Sequence, residues 1–132
     1  MRPKSATLTD QELEIMKVVW TRDTATVRDV YETLLERRKI AYTTVMTMMK
    51  ILENKKYLKR TQEDRAYVYR PVKPQNQVIK GMVREFVDRV FNGSAEPLLV
   101  HLVEDSRLSR KDLDDIARMI NMISKVPRKV RE

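Results

Sequence analysis

Three apolar stripes at helical spacing, followed by two short alternating segments, fill the chain from residue 10 to residue 70. The first stripe follows Thr9-x-x-Glu12, a capping box, and predicts a helix over residues 10–20. The second follows Thr26-x-x-Asp29, another capping box, and predicts a second helix that ends near a basic run. Each stripe has one side to bury, so the helices are expected to share a core.

A third helix is predicted over residues 42–54. Two strands are predicted after it, over residues 58–61 and 66–70, with a four-residue turn between them and Pro71 ending the second strand. Helix, helix, helix and hairpin is the order of a winged helix-turn-helix. The predicted fold class is therefore mainly α with a small β-hairpin wing, followed by a C-terminal helical region.

Pro71 and Pro74 mark a boundary, which predicts a winged-helix DNA-binding domain over residues 1–73 and a helical dimerisation region over residues 74–132. A region this short buries too little surface to be stable alone, so its helices either fold back or pair with a second chain. The wide apolar face of residues 78–91 favours pairing into a homodimer. The predicted interface residues are Val78, Ile79, Met82, Val83, Phe86, Val87, Val90, Phe91, Leu98, Leu99, Leu102, Leu113, Ile116 and Ile120.

The composition excludes several classes of function. The 132 residues include no Cys, two Gly and one His, so thiol catalysis, Cys-ligated metals and Gly-rich phosphate loops are excluded. His101, Glu104 and Asp105 have the spacing of a metal site or an acid–base pair, but a second His and an activated nucleophile are lacking. We therefore predict no enzyme activity, no metal and no cofactor.

No apolar run in the sequence is long enough to span a bilayer. The N-terminal segment leads into an amphipathic stretch, without the apolar core of a signal peptide. The expected protein is cytoplasmic, with no direct membrane insertion.

Positive charge is concentrated in the first half of the chain. The whole sequence carries a net charge of +8. Residues 1–74 hold 16 basic and 10 acidic residues, whereas residues 75–132 hold 11 and 9. Residues 37–60 alone hold eight basic residues and one acid, Glu53. A field of this sign favours a polyanion such as nucleic acid, or an anionic membrane surface.

The outward face of the predicted third helix is small, rich in hydroxyl groups and not acidic. In a recognition helix, such side chains read base edges in the major groove, and basic side chains contact phosphates. The simpler alternative is that the threonines are ordinary exposed helix residues. The predicted DNA-binding residues are Tyr42, Thr43, Thr44, Met46, Thr47, Lys50, Lys55, Lys56, Arg60 and Arg65.

The predicted hairpin leaves two alternatives open. Arg65 at the turn is a candidate contact to the DNA backbone or minor groove, or else it pairs with Glu63 or Asp64. Tyr67 and Tyr69 share one face of their strand, and we expect that face to be core rather than a platform for stacked bases.

The chain resembles the BlaI/MecI penicillinase-repressor family, which also includes CopY-type copper regulators. The resemblance rests on residues 8–20 (LTDQELEIMKVVW), 41–52 (AYTTVMTMMKIL) and 65–71 (RAYVYRP), with a weaker match at residues 98–113. It implies a homodimeric winged-helix repressor of a palindromic operator, held together by its C-terminal helices. In this family, a signal from a membrane sensor protease leads to cleavage of the repressor.

The sequence departs from the family pattern at three places. The C-terminal cysteine cluster of the copper branch is missing, so copper sensing is not expected. Lys56 and Tyr57 stand where the family usually has a Gly after the third helix. The family cleavage pair, Asn-Phe, is replaced by His101-Leu102, which is the candidate cleavage site in this chain.

The leading hypothesis is a sequence-specific, homodimeric repressor that binds double-stranded DNA at an operator of β-lactam resistance or envelope-stress genes. The alternatives are a winged-helix module that binds a protein partner and not DNA, and a basic protein of membrane surfaces. A DNA-binding protein would lose affinity steeply as the salt concentration rises, which separates the first hypothesis from the second.

Overall fold

The computed structural model describes residues 7–124, and the chain divides into two compact units, Met1–Val83 and Arg84–Glu132. The N-terminal segment predicted to lack a signal peptide lies largely outside the described residues. In chain order the elements are α1 Asp10–Arg22, α2 Val27–Leu35, α3 Tyr42–Asn54, β1 Leu58–Glu63, β2 Ala66–Pro71, α4 Gln75–Phe91, α5 Glu96–Glu104 and α6 Arg110–Ser124. This order confirms the predicted fold class.

Capping boxes begin α1 and α2, as the sequence predicts. The Thr9 hydroxyl accepts a hydrogen bond from the Glu12 N–H at 3.1 Å, and the Glu12 carboxylate accepts one from the Thr9 N–H at 2.9 Å. Thr26 and Asp29 make the same reciprocal pair at 3.1 and 3.0 Å. These bonds satisfy backbone donors that the first turn of a helix otherwise leaves unpaired.

The core of the first unit lies between α1, α2, α3 and the base of the hairpin. All four parts contribute fully or nearly fully buried side chains, so the three predicted apolar stripes meet in one cluster, as expected. The largest are Ile15, Met16 and Val19 of α1, Val30 and Leu34 of α2, Val45, Met49 and Leu52 of α3, and Leu58 and Tyr69 of the hairpin.

The hairpin is longer than predicted. Its strands pair from Leu58 opposite Pro71 to Glu63 opposite Ala66, so the turn contains only Asp64 and Arg65. The predicted four-residue turn is therefore wrong. Asp64 makes the tight turn with a φ of 56°, in the left-handed region that Asp tolerates better than most residues.

A short backbone pairing ties the hairpin to the helices. Ala25, between α1 and α2, exchanges two hydrogen bonds with Tyr69, at 3.0 and 2.8 Å. Both side chains are buried. The base of the hairpin is thereby fixed in the core while the strands continue outward.

The start of α4 packs on the first unit. The Trp20 indole N–H donates to the Lys73 carbonyl at 3.0 Å, and Val78 belongs to the same buried cluster as α1–α3. The two compact units accordingly divide inside α4, between Val83 and Arg84. The predicted domain limit at residues 73 and 74 lies just before this helix.

The second unit consists of the rest of α4 with α5 and α6. Ser109 and Asp112 form a capping box at the start of α6, with bonds of 3.0 and 3.1 Å, as predicted. Phe91 packs edge to face on Phe86 at a centroid distance of 5.9 Å. In the part of the chain that is described, no helix is long and apolar enough to cross a membrane.

Candidate nucleic-acid interface

Burial divides α3 into two faces. Val45, Met49 and Leu52 are completely buried, and Met48 packs against the core, so the other side of the helix must point outward. The exposed residues from Tyr42 to Ile51, which we call the α3 face, are Tyr42, Thr43, Thr44, Met46, Thr47, Lys50 and Ile51. The structure thus brings six of the predicted DNA-binding residues onto one outward surface.

The α3 face offers three kinds of contact. The hydroxyls of Thr43, Thr44 and Thr47 can donate or accept hydrogen bonds, and their methyl groups can contact a thymine methyl. Lys50 has no ion pair among residues 7–124, so its ammonium group is available to a phosphate. This is the chemistry that a recognition helix needs.

The N-terminal end of α3 is held by aromatic contacts. The Tyr42 ring packs edge to face on Tyr31 at 5.4 Å, and the Arg28 guanidinium lies 5.7 Å from the centre of the Tyr42 ring. Ala41, the N-cap, supplies no side-chain acceptor, so the first amide groups of α3 lack a side-chain cap. Unpaired amides at the positive end of a helix favour a phosphate.

Arg28 was missed by the sequence analysis. It lies at the second position of α2 and is well exposed, and its one ion pair among residues 7–124 is an exposed contact with Glu32 at 3.6 Å. No periodicity links it to Tyr42, fourteen residues later in the chain, so only the tertiary structure places its charge beside the start of α3.

Lys55 is not available to DNA, so its prediction as a DNA-binding residue is wrong. Its ammonium group donates to both carboxylate oxygens of Glu12, at 2.8 and 3.1 Å, and to the Thr7 carbonyl at 3.2 Å. The side chains of Lys55 and Glu12 are only 15% and 6% exposed. Lys55 therefore ties the end of α3 to the start of α1.

Lys56 is exposed and takes a left-handed backbone conformation with a φ of 74°. The Tyr57 N–H bonds to the Leu52 carbonyl and the Lys56 N–H to the Glu53 carbonyl, both at 3.0 Å, which is a Schellman motif. The family resemblance predicts a Gly at this point of the chain, where Lys56 and Tyr57 stand. The backbone shape that Gly favours is kept, and a charged side chain is added next to the α3 face.

Arg60 projects from β1 toward the end of α3. Its Nε lies 3.5 Å from a carboxylate oxygen of Glu53, and its guanidinium lies 4.1 Å from the centre of the Tyr67 ring. The positive charge of Arg60 is therefore partly balanced in the free protein, unlike that of Lys50.

The structure bears on both alternatives left open for the hairpin. Arg65 is exposed at the turn without an ion pair among the described residues, because Glu63 pairs with Arg70 at 2.8 Å. Tyr69 is buried as expected, but Tyr67 is 48% exposed, so the core assignment of Tyr67 is wrong. Both rings do lie on one face, and the strands carry Tyr67 beyond the edge of the core.

The predicted interface residues differ in burial. Val78 is 7% exposed within the core of the first unit, so it is already covered within a single chain and is not assigned to a dimer interface. Val87 is also buried, at 9% exposed, whereas six of the others leave substantial apolar surface uncovered. Those at least 40% exposed are Val83, Phe86, Val90, Leu99, Leu113 and Ile120.

His101 and Leu102 lie inside α5, not in a loop. The His101 ring contacts Phe91 at a centroid distance of 5.9 Å. Among the described residues no group of His, Asp and Glu side chains could hold a metal, so the spacing of His101, Glu104 and Asp105 does not create a metal site.

Comparison with known proteins identifies the family. Residues 8–122 match the family described as penicillinase repressor. This chain belongs to the penicillinase repressor family. Among its relatives, the transcriptional regulator BlaI of Mycobacterium tuberculosis is 36% identical over 119 residues, which cover 89% of this chain and 85% of that protein. The penicillinase repressor of Bacillus licheniformis is 26% identical over 113 residues, covering 86% and 88%.

One more relative and one solved structure are also similar to this chain. The methicillin resistance regulatory protein MecI of Staphylococcus aureus (strain N315) is 19% identical over 121 residues, covering 92% of this chain and 98% of that protein. The solution structure of the DNA-binding domain of the repressor BlaI is 30% identical and covers 56% of this chain and 90% of that one, with a TM-score of 0.49. Membership in the penicillinase repressor family makes this chain a transcriptional repressor, as the sequence predicted.

Proposed function

We propose that this penicillinase repressor family member binds a palindromic operator in duplex DNA as a homodimer. The α3 face carries the proposal, because it presents three hydroxyls, several methyl groups and an unpaired ammonium opposite a fully buried stripe. A face of this kind fits the major groove, where hydroxyls and methyls distinguish base pairs.

The proposed phosphate contacts surround the α3 face. Lys50 lies on it, Lys56 follows its C-terminal end, and Arg65 occupies the tip of the hairpin. Arg60 extends from β1 toward Glu53 at the end of α3. These cations would give the sequence-independent part of the affinity, and Thr43, Thr44 and Thr47 would give the base preference.

The proposed homodimer rests on the second unit. Its helices leave large apolar side chains such as Phe86, Val90 and Ile120 at least 40% exposed. An apolar surface of this extent on a short helical unit is expected to be buried against a partner. A second copy of the chain presents the same apolar surface and can bury it. Two copies would present two α3 faces, and the operator would then have two related half-sites.

The regulated genes are proposed from the relatives. One is named for penicillinase and another for methicillin resistance, so genes for resistance to β-lactams are the expected targets. The protein would act in the cytoplasm, where operator DNA lies. It would catalyse no reaction and need no cofactor.

Selection of random duplex DNA with the purified chain tests the proposed DNA binding. We expect a selected sequence with two inverted half-sites, and an affinity that falls steeply between about 50 and 200 mM salt. Enrichment of no sequence, together with salt-independent binding, would contradict it and would favour a protein-binding module.

Paired variants then test the roles on the α3 face. Thr47→Ala should cost about 1–3 kcal/mol on the selected operator and little on scrambled DNA, because it removes a base contact. Lys50→Ala should weaken both DNAs alike and lower the salt slope by about 0.9, because it removes a phosphate contact. Equal losses from Thr47→Ala on both DNAs would rule out base reading by this residue.

Inactivation by cleavage between His101 and Leu102 is a further part of the proposal. A cut there would keep α1 to α4 intact but detach α6, whose exposed apolar face is part of the proposed interface. Each α3 face would survive, but the gain in affinity from holding two half-sites together would be lost. Mass analysis of the repressor from cells treated with a β-lactam should show a fragment that ends at His101 before derepression. Derepression with only full-length protein would exclude this route and favour the alternative, release by an effector that loosens the dimer without cleavage.

A further inference from the structure

Glu53 stands alone as an acid within the most basic part of the chain. It is the one Asp or Glu in residues 37–60. It follows Met46 and Lys50 at spacings of seven and three residues, so helical periodicity places it in line with them at the C-terminal end of the α3 face. A bare carboxylate at this place would repel a DNA backbone lying along the helix.

Arg60 neutralises Glu53 through a weak ion pair. A single contact of 3.5 Å joins its Nε to Glu53, and the two side chains are 32% and 30% exposed. A guanidinium has five N–H donors, so this contact leaves others unused. A partly exposed pair with a single contact is worth little, and a phosphate can displace the carboxylate.

Tyr67 holds the other side of Arg60. Tyr69 is the cross-strand partner of Arg60, and Tyr67 lies two residues earlier in β2, on the same face and nearer the turn. The core does not cover the Tyr67 ring, which instead lies 4.1 Å from the Arg60 guanidinium. A ring face at this distance attracts the cation without using any of its N–H donors.

We propose that the Arg60 guanidinium binds a DNA phosphate. In the free protein the guanidinium pairs with Glu53 instead, and the Tyr67 ring keeps it in position when a phosphate replaces Glu53. The inference rests on the proposed function, since it requires bound duplex DNA. It assigns Tyr67 a positioning role and makes Glu53 an internal competitor of the phosphate, which lowers the affinity for DNA.

The hairpin contains a second ion pair, which supplies a control variant for Glu53 and one for Arg60. Glu63 and Arg70 form an ion pair at 2.8 Å, with side chains 50% and 40% exposed. Because side chains alternate along a strand, this pair lies on the face of the hairpin opposite Arg60 and Tyr67. Changes to Glu63 and Arg70 alter the net charge equally but leave the Arg60 site intact.

The first experiment measures operator affinity as a function of salt for the full-length chain. Arg60→Ala should lower the slope of log affinity against log salt by about 0.9, and Arg70→Ala should leave it unchanged. Glu53→Gln should tighten operator binding about two- to fivefold without changing the slope, because no ion pair has to be broken. Equal effects of Glu53→Gln and Glu63→Gln, or equal slopes for Arg60→Ala and wild type, would overturn the proposal.

The second experiment asks whether Tyr67 acts through Arg60. Tyr67→Phe keeps the ring and should bind like wild type, whereas Tyr67→Leu should bind about two- to fivefold more weakly. Adding Tyr67→Leu to Arg60→Ala should cause no further loss. If Tyr67→Leu lowers the operator affinity of Arg60→Ala as much as it lowers that of wild type, Tyr67 does not position Arg60. If wild type binds no duplex DNA, the proposed function fails as well; if it binds and only these variants disagree, this inference alone fails.

Discussion

The left-handed backbone conformation of Lys56 should lower the stability of the fold measurably. Residues with a side chain lose about 1 kcal/mol relative to Gly in the left-handed region. Lys56→Gly should therefore raise the free energy of unfolding by about 1 kcal/mol, because Lys56 has a φ of 74°. Urea unfolding of the full chain measures the change. Lys56→Ala removes the same charge but keeps the strain, so it should not stabilise the protein; equal stabilisation by both variants would attribute the effect to charge.

Removing the buried contact between Lys55 and Glu12 should lower the free energy of unfolding, and by more than Lys56→Gly raises it. Lys55→Met leaves the Glu12 carboxylate buried without its cation and should destabilise the fold by about 3 kcal/mol. Adding Glu12→Gln should recover part of the loss, because the amide needs no counter-charge. Both proteins should keep the salt slope of wild type in DNA binding. A slope reduced by about 0.9 would instead restore Lys55 to the phosphate contacts.

Residue roles were predictable where they depend on neighbours in the sequence. The exposed threonines of α3 follow from the periodicity of its buried stripe. The role of Lys55 does not, because its partner Glu12 lies 43 residues away and a charge count treats every lysine alike. The contact between Arg60 and Tyr67 was missed for a different reason: it depends on the register of the hairpin, and the turn length that sets the register was predicted wrongly.

At the scale of the element, the capping box of α2 should make stability depend on pH. The Thr26 backbone N–H, helped by the Thr26 hydroxyl and Arg22, holds the pKa of Asp29 below its ordinary value of 3.8, against the opposing effect of burial. Since the folded-state pKa is the lower one, the stabilisation is present above the unfolded-state pKa. It is lost as the pH falls through the folded-state pKa.

Asp29→Asn tests this dependence. The variant should be less stable than wild type at pH 7 by about 1 kcal/mol, and the difference should shrink as the pH falls below 3.8. Glu32→Gln, on the exposed side of the same helix, should change stability by less than about 0.5 kcal/mol. A difference for Asp29→Asn that persists unchanged at pH 3 would contradict the assignment.

Element boundaries were predictable wherever caps mark them. The starts of α1, α2 and α6 follow from their capping boxes, and α3 spans the predicted residues. The length of the hairpin was missed because Asp64 accepts a positive φ, which shortens the turn to two residues. Alternation correctly placed Tyr67 and Tyr69 on one face, but it does not tell where along a strand the core ends.

At the scale of the whole molecule, the second unit should control the oligomeric state. Phe86→Asp should convert a dimer into monomers, because the charge would be buried at the interface without a partner. Sedimentation measures the mass, and circular dichroism checks that the helices remain. Leu35→Asp, at an equally exposed apolar position of α2, should remain dimeric. An unchanged dimer for Phe86→Asp would place the interface elsewhere.

Trp20 is the one tryptophan of the sequence, and its indole N–H bonds to Lys73 just before α4. Its fluorescence emission therefore reports on the first unit and on the docking of the chain segment that enters α4, while the second unit contributes no indole signal. Far-ultraviolet dichroism reports helices from both units. Coincident denaturation curves from the two signals would mean that the units unfold together, and separated curves would give the stability of each unit in one intact protein without any label.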